Sequence, residues 1–211
     1  MFSLNHLLFI KNHSKVFYQW KKRQFAAPSP DLVKRQVLLT QSIPGATWIE
    51  TGTYLGDTTY LLSRHAKLVY TIEPEPILFK KAEARFRHEK NIKVINGLSE
   101  DVLPRLLPEI AGAINFWLDG HDSGGSTYKG PQETPIVDEL NCISRYRHKF
   151  TRAVVLIDDV RLFTPTHKEY TGSYPNLDFL VAWARDNEFQ WSIMHDIFVA
   201  SSSDDVARKV G

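Results

Sequence analysis

From about residue 44 onward, short apolar or β-branched runs alternate with longer stretches of helical spacing. That alternation predicts a mostly parallel sheet covered by helices. The strand-like runs are Thr47–Glu50, Leu68–Ile72, Ile92–Ile95, Ile114–Leu118 and Ala153–Ile157. The last is continuously apolar, as a strand buried on both faces should be. Helical patterns fall between them, over Thr58–Ala66, Pro76–Glu89, Ser99–Leu107 and Ile136–Tyr146, with Cys142 on the buried side of the last. Asn176–Asn187 reads as a further helix. Gln190–Met194 and Ile197–Ala200 stand too close for a helical crossover. They predict an antiparallel pair at the end of the sheet. The expected class is α/β, Rossmann-like, with helices on both faces.

Ahead of this pattern, Ala26-Ala27-Pro28-Ser29-Pro30 reads as a break. It divides an N-terminal helical extension, residues 1–27, from the main domain, residues 28–211. Asp31 is the expected N-cap of a helix reaching about Gln41. The extension is basic. Lys11, Lys15, Lys21, Lys22 and Arg23 are interleaved with Phe17, Tyr18 and Trp20, and the first acidic residue is Asp31. One reading is a helix making peripheral contact with a membrane surface. The other, the commoner arrangement and the one preferred, is a helix packed on the domain edge with a solvated basic face. Leu4–Ile10 is short and interrupted by Asn5 and His6, so no signal peptide is expected. No apolar run approaches the roughly 20 residues of a membrane-spanning helix.

Composition narrows the partners. A chain of 211 residues fits one domain with a sizeable core. The net charge of +2 is too small to point to nucleic acid, which leaves a small-molecule partner as the expectation. Cys142 is the lone cysteine, so neither an intrachain disulfide nor a cysteine-held zinc site can form. A cytoplasmic location suits that usage. The pattern does not decide the oligomeric state, and a homodimer is compatible with it.

Candidate chemistry gathers at the predicted strand ends. Glu50-Thr51-Gly52-Thr53-Tyr54-Leu55-Gly56 forms an E-x-G-x-x-x-G loop after the first strand. Glycines there allow a ligand to approach the backbone. The loop lies where open α/β sheets bind ligands. It lacks the G-x-G-x-x-G spacing that seats a pyrophosphate. Its leading carboxylate would repel a pyrophosphate and attract a cation such as an ammonium or sulfonium. Glu73 follows the second strand, where a carboxylate can accept hydrogen bonds from both hydroxyls of a ribose. Asn96-Gly97-Leu98-Ser99-Glu100 follows the third strand, where an adenine edge can be read, and Ser99 is a candidate helix cap.

With these residues in place, the chain resembles the class I S-adenosylmethionine-dependent methyltransferases. Within them it is similar to a bacterial group carrying the blocks found here at Trp48–Thr59, Ile72–Glu75, Asn115–His121, Leu156–Val160 and His195–Phe198. The resemblance covers roughly residues 30–200. It implies a seven-stranded sheet and S-adenosylmethionine as cofactor, with Glu50, Gly52, Thr53, Gly56, Thr58, Glu73, Ser99 and Asp119 as its contacts. The group is distantly similar to macrolide-sugar O-methyltransferases. Those hold magnesium with an Asp after the fourth strand and an Asp-Asp pair after the fifth. Asp119, Asp158 and Asp159 stand at the matching places, which implies the same metal. Carboxylates so placed would repel one another if left empty, and a hard divalent cation would neutralise them. Asp119 and His121 are the candidate catalytic residues, His121 as a general base whose near-neutral titration suits a hydroxyl proton. The Gly-rich loop of residues 120–130 departs from the macrolide pattern.

The function expected on these grounds is O-methylation of a carbohydrate or small polyhydroxylated metabolite. The alternatives are a cofactor-binding scaffold of the same fold without turnover, and a sugar-nucleotide enzyme on a similar sheet. His195-Asp196 reads as structural hydrogen bonding, and Arg145, Arg147, His148 and Lys149 as a solvated helix end.

Overall fold

The computed structural model describes residues 14–120, 134–167 and 171–202. Seven strands form one sheet: β1 (Thr47–Thr51), β2 (Leu68–Glu73), β3 (Ile92–Asn96), β4 (Ala113–Leu118), β5 (Arg152–Ile157), β6 (Phe189–Met194) and β7 (Ile197–Ser202). Their order is β3-β2-β1-β4-β5-β7-β6. β1 to β5 run parallel, and β7 lies antiparallel between β5 and β6. The sheet is therefore mostly parallel with an antiparallel end pair, as the spacing of the last two runs predicts.

Helical turns at residues 14–22 form α1. They are followed by α2 (Asp31–Gln41), α3 (Asp57–Ser63), α4 (Pro76–Phe86), α5 (Ser99–Leu106), α6 (Ile136–Tyr146) and α7 (Leu177–Asp186). α3 and α4 each stop short of their predicted ends. Two caps also move by one residue: Pro30 and Leu98 are the N-caps of α2 and α5, so Asp31 and Ser99 open their helices instead. An acid in the first turn still favours the helix dipole, which keeps Asp31 useful there. Asn176 caps α7 by accepting from the Phe179 N–H at 3.1 Å.

The alternation within each strand builds two cores. On one face Ile49, Ile72, Ile114, Phe116, Leu118, Val155 and Ile157 pack with Leu103 of α5, Leu140 and Ile143 of α6 and Trp183 of α7. On the other, Trp48, Val69, Trp117, Leu156 and Val199 pack with Val37 and Leu38 of α2 and Leu62 of α3. Cys142 is buried in the first core, as expected. In β1 this parity puts Glu50 on the face of Trp48 and Thr51 on the face of Ile49.

α1 takes the packed arrangement of the basic segment. Trp20 is buried, stacks at a tilt on His195 with ring centroids 5.7 Å apart, and donates from its indole N–H to the Ala26 carbonyl at 3.1 Å. Lys15, Lys21, Lys22 and Arg23 are exposed. The helix packs on the β6–β7 turn by Trp20 and leaves its basic residues exposed. Among the described residues no helix is long and apolar enough to cross a membrane.

Candidate functional site

The strand order reverses between β1 and β4, with β2 and β3 on one side and β5 on the other. Ligands of open α/β sheets bind at such a switch point, beyond the carboxyl ends of the strands. Here a cleft of about 290 Å³ opens there. It is walled by the β1–α3 loop from Gly52 to Thr58, by Asp31, Lys34, Arg35 and Leu38 of α2, and by Trp117, Asp119 and Asp158. Of the expected cofactor contacts, Gly52, Thr53, Gly56, Thr58 and Asp119 line it.

The loop glycines also answer to the protein's own packing. Both lie in the left-handed region, Gly52 at φ 87° and Gly56 at φ 81°. A Cβ on Gly52 would stand 2.5 Å from the Asp119 carbonyl oxygen, and one on Gly56 would stand 2.6 Å from the Phe86 ring. The missing side chains make room first for the protein's own β4–α6 loop and α4. Thr53 is also engaged internally, its hydroxyl 2.6 Å from that of Thr71.

Glu50 lies behind the loop, fully buried, and does not line the cleft. One carboxylate oxygen accepts from the Thr59 hydroxyl of α3 at 2.5 Å. The other, Oε1, has no partner in hydrogen-bond geometry among the described residues, though the Thr71 hydroxyl lies near enough to favour its charge. Burial pushes its carboxyl up to about 7, against the pull of the Thr59 hydroxyl.

Glu73 ends β2 and braces the same loop. It accepts from the Tyr54 N–H at 2.8 Å and the Glu75 N–H at 3.0 Å. Burial holds its carboxyl above the ordinary range, and these two N–H groups oppose the shift. Each oxygen keeps a further lone pair for a ribose hydroxyl. Ser99 is buried at the start of α5, beside a residue that the sequence reading passed over, Glu139 of α6. Glu139 is buried and its Oε1 has no hydrogen-bond partner among the described residues. Burial pushes this carboxyl also up to about 7, against the hydroxyls of Ser99 and Thr51 and helped by Glu100 and Asp138. A Cβ on Gly120 would lie 3.1 Å from Thr51 Oγ1 and 3.5 Å from Glu139 Oε1. Thr51 Oγ1 and Glu139 Oε1 therefore flank the backbone just after β4, on the sheet face opposite Glu50.

The three aspartates emerge as the register requires. Leu118 pairs with Ile157, so Asp119 and Asp158 leave the sheet at the same height. Their charges are not left for a metal. Lys34 of α2 donates to a carboxylate oxygen of Asp158 at 2.7 Å and to Asp159 Oδ1 at 2.9 Å. Arg161 pairs with Asp159 and with the buried Asp196, and its N–H donates to Asp196 Oδ1 at 3.1 Å. Burial raises the Asp158 carboxyl and Lys34 pulls it back down. Among the described residues no three His, Cys, Asp or Glu side chains are disposed around a cation. The donor set expected for magnesium thus does not fit it as it stands: an ammonium and a guanidinium already neutralise two of the three acids. Asp196 is structural, as expected. His121 lies outside the described residues.

Lys34 and Glu139 carry no local motif. Glu139 did leave a signal, a carboxylate on the apolar stripe of Ile136, Leu140 and Ile143.

Comparison with known families finds no matching family model, and no curated protein matches. Solved structures do match. The 23S rRNA methyltransferase ErmE aligns with a TM-score of 0.53 at 14% identity, over 85% of this chain and 70% of that one. A precorrin-6y C5,15-methyltransferase from Geobacter metallireducens aligns with a TM-score of 0.51 at 12% identity, over 80% of this chain and 86% of that one. One of these acts on rRNA by its name, so the fold lends no support to the expectation that nucleic acid is excluded. At these identities the likeness is one of fold, and the chain has the Rossmann-like fold that these methyltransferases share.

Proposed function

We propose that this chain is an S-adenosylmethionine-dependent methyltransferase whose acceptor is a hydroxyl of a carbohydrate or small polyhydroxylated molecule. The observation that carries the reading is the cleft at the switch point, bordered by the Gly52–Thr58 loop that Glu73 holds through the Tyr54 N–H while its oxygens keep lone pairs for a ribose. Carboxylates at and behind this loop favour a ligand rich in donors and positive charge. S-adenosylmethionine offers an ammonium, a sulfonium, an adenine amino group and two ribose hydroxyls. A dinucleotide would bring a pyrophosphate against Glu50, which disfavours it.

When bound, the cofactor supplies a methyl group on sulfur: the acceptor oxygen bonds to that carbon as the C–S bond breaks, and the bonding pair stays on sulfur. The chain's own residues supply binding and alignment. Gly52, Thr53, Gly56 and Thr58 border the donor, with Glu50 acting on its charge from behind the loop. Glu73 takes the ribose, and Ser99 with Glu139 takes the adenine edge. Leu38 and Trp117 keep water from the cleft. Asp119 lines the cleft and, with His121, is the candidate for receiving the hydroxyl proton. These positions all fall within residues 28–211, taken as the main domain, and α1 lines no part of the cleft.

Calorimetry with S-adenosylhomocysteine and NAD, joined to transfer of labelled methyl to a panel of sugars, tests the reading. Binding of the first ligand, none of the second, and label on a sugar hydroxyl are expected. Binding of NAD alone would sink it. Label on RNA with none on sugars would keep the cofactor and replace the acceptor.

A further inference from the structure

We propose that the Lys34 ammonium takes the place of a divalent cation at the cleft and binds the acceptor oxygen directly. The second half of this rests on the methyltransferase reading. The first half does not.

The argument begins with charge. Asp119 and Asp158 both line the cleft, and Asp159 follows directly. Acids gathered at one edge of the sheet pair with a cation or share a proton. Arg161 is shared between Asp159 and Asp196. Asp158 has one cationic partner among the described residues, and that partner is Lys34. Lys34 does not come from the strand ends that supply the acids. It comes from α2, which packs across the second core by Val37 and Leu38 and so holds the ammonium over the ends of β4 and β5. A helix placed in this way adds to the site a charge that the sheet alone would have to recruit from solution as a metal ion.

The second step is a count of donors. An ammonium has three N–H groups. Two are used, at 2.7 Å to Asp158 and 2.9 Å to Asp159. The third has no acceptor among the described residues, and Lys34 is a wall of the cleft, with 16% of its side chain exposed. A ligand oxygen in the cleft is the partner left for it. The two aspartates fix where the nitrogen sits, so little order remains to be imposed on binding.

The third step is chemistry. A hydroxyl that loses its proton to a carboxylate of the cleft as it attacks develops negative charge on oxygen. A fixed ammonium stabilises that charge in a site of low dielectric. A divalent cation would do the same by chelating vicinal hydroxyls. A single ammonium contacts one oxygen, so the acceptor need not be a diol.

Manganese binding, read from the loss of the free ion's electron paramagnetic resonance signal, tests the first half without any assay of turnover. Wild-type protein should leave the signal intact. Lys34→Ala and Lys34→Gln should bind the ion at least about tenfold more tightly, because they free Asp158 beside Asp119. Lys34→Arg, which keeps the charge, should behave as wild type. Manganese binding by wild type as tight as by the neutral variants overturns the proposal, and so does a failure of both folded neutral variants to bind. The wild-type measurement stands even if a variant does not fold. For the second half, labelled methyl transfer by wild type should be indifferent to chelator. In Lys34→Ala without metal it should fall about a hundredfold. Transfer within about threefold of wild type overturns the acceptor role. If no form transfers a methyl group, the functional reading has failed, and the manganese result still decides what Lys34 replaces.

Discussion

Gly52 and Asp119 meet backbone to backbone across the switch point: a Cβ on the glycine would stand 2.5 Å from the aspartate carbonyl oxygen. The Asp119 N–H in turn donates to the Thr51 carbonyl at 3.2 Å. The first loop and the β4–α6 loop are thereby seated on one another. Gly52→Ala adds a side chain at φ 87° and pushes two loops apart. It should lower the free energy of unfolding by on the order of 2–3 kcal/mol. It should also abolish binding of S-adenosylhomocysteine. Urea denaturation and calorimetry read both. Wild-type stability in the variant would show that the two loops are free to separate.

Glu139 gives a prediction about pH. Its carboxyl, ordinarily near 4.5, is raised to about 7 by burial. Between those values the folded chain holds a proton that the unfolded chain has released. Stability therefore falls as pH rises through this window and levels off above it, by on the order of 3 kcal/mol for one such group. Glu50 adds to the fall over the same range. Glu139→Gln removes one of the two contributions. Urea denaturation of the ligand-free protein at pH 5.5 and 8 should show a smaller loss in the variant than in wild type. Equal losses would mean that Glu139 ionises freely in the folded state.

The strands and the antiparallel end pair were legible because each is short, apolar and set off by polar loops, so the pattern that makes them also marks them. The equal height of Asp119 and Asp158 was legible for a similar reason: Leu118 and Ile157 each end an apolar run, and the pairing of those two residues sets the height. The partner of the aspartates was not. Lys34 precedes Asp158 by 124 positions, and nothing local distinguishes it from the solvated lysines around it. Its role depends on how α2 crosses the sheet, which is a matter of packing. Gly56 shows a second reason that only packing reveals: at its φ of 81°, a Cβ would meet the Phe86 ring of α4.

Trp20 separates the extension from the site. It is buried against Phe25 and His195, while the residues lining the cleft begin at Asp31. Trp20→Ala should cost on the order of 3 kcal/mol, the low end for a packed aromatic. Deleting the residues before Ala26 should also leave S-adenosylhomocysteine binding intact. A truncated protein that melts cooperatively and fails to bind would make α1 part of the pocket. Salt-sensitive co-sedimentation of the whole chain with anionic vesicles would restore the membrane role for its exposed lysines.

Glu50 ties the cofactor's charge to pH. Its Oε1 has no partner in hydrogen-bond geometry among the described residues, and its carboxyl is raised to about 7. An ammonium brought to the other side of the loop favours the ionised form, because charges separated by low-dielectric protein interact strongly. Affinity for S-adenosylhomocysteine should therefore be greatest above pH 7. Below that it should weaken as Glu50 takes up a proton, by up to about tenfold per unit. Glu50→Gln should bind more weakly at pH 8 and show little change down to pH 6. Glu139 is raised to the same value, so the comparison needs Glu139→Gln as well, in which the pH dependence due to Glu50 should persist. Calorimetry of the three proteins over this range reads the effect. A pH dependence that survives Glu50→Gln unchanged and disappears in Glu139→Gln would transfer the role to the acid on the opposite face of the sheet.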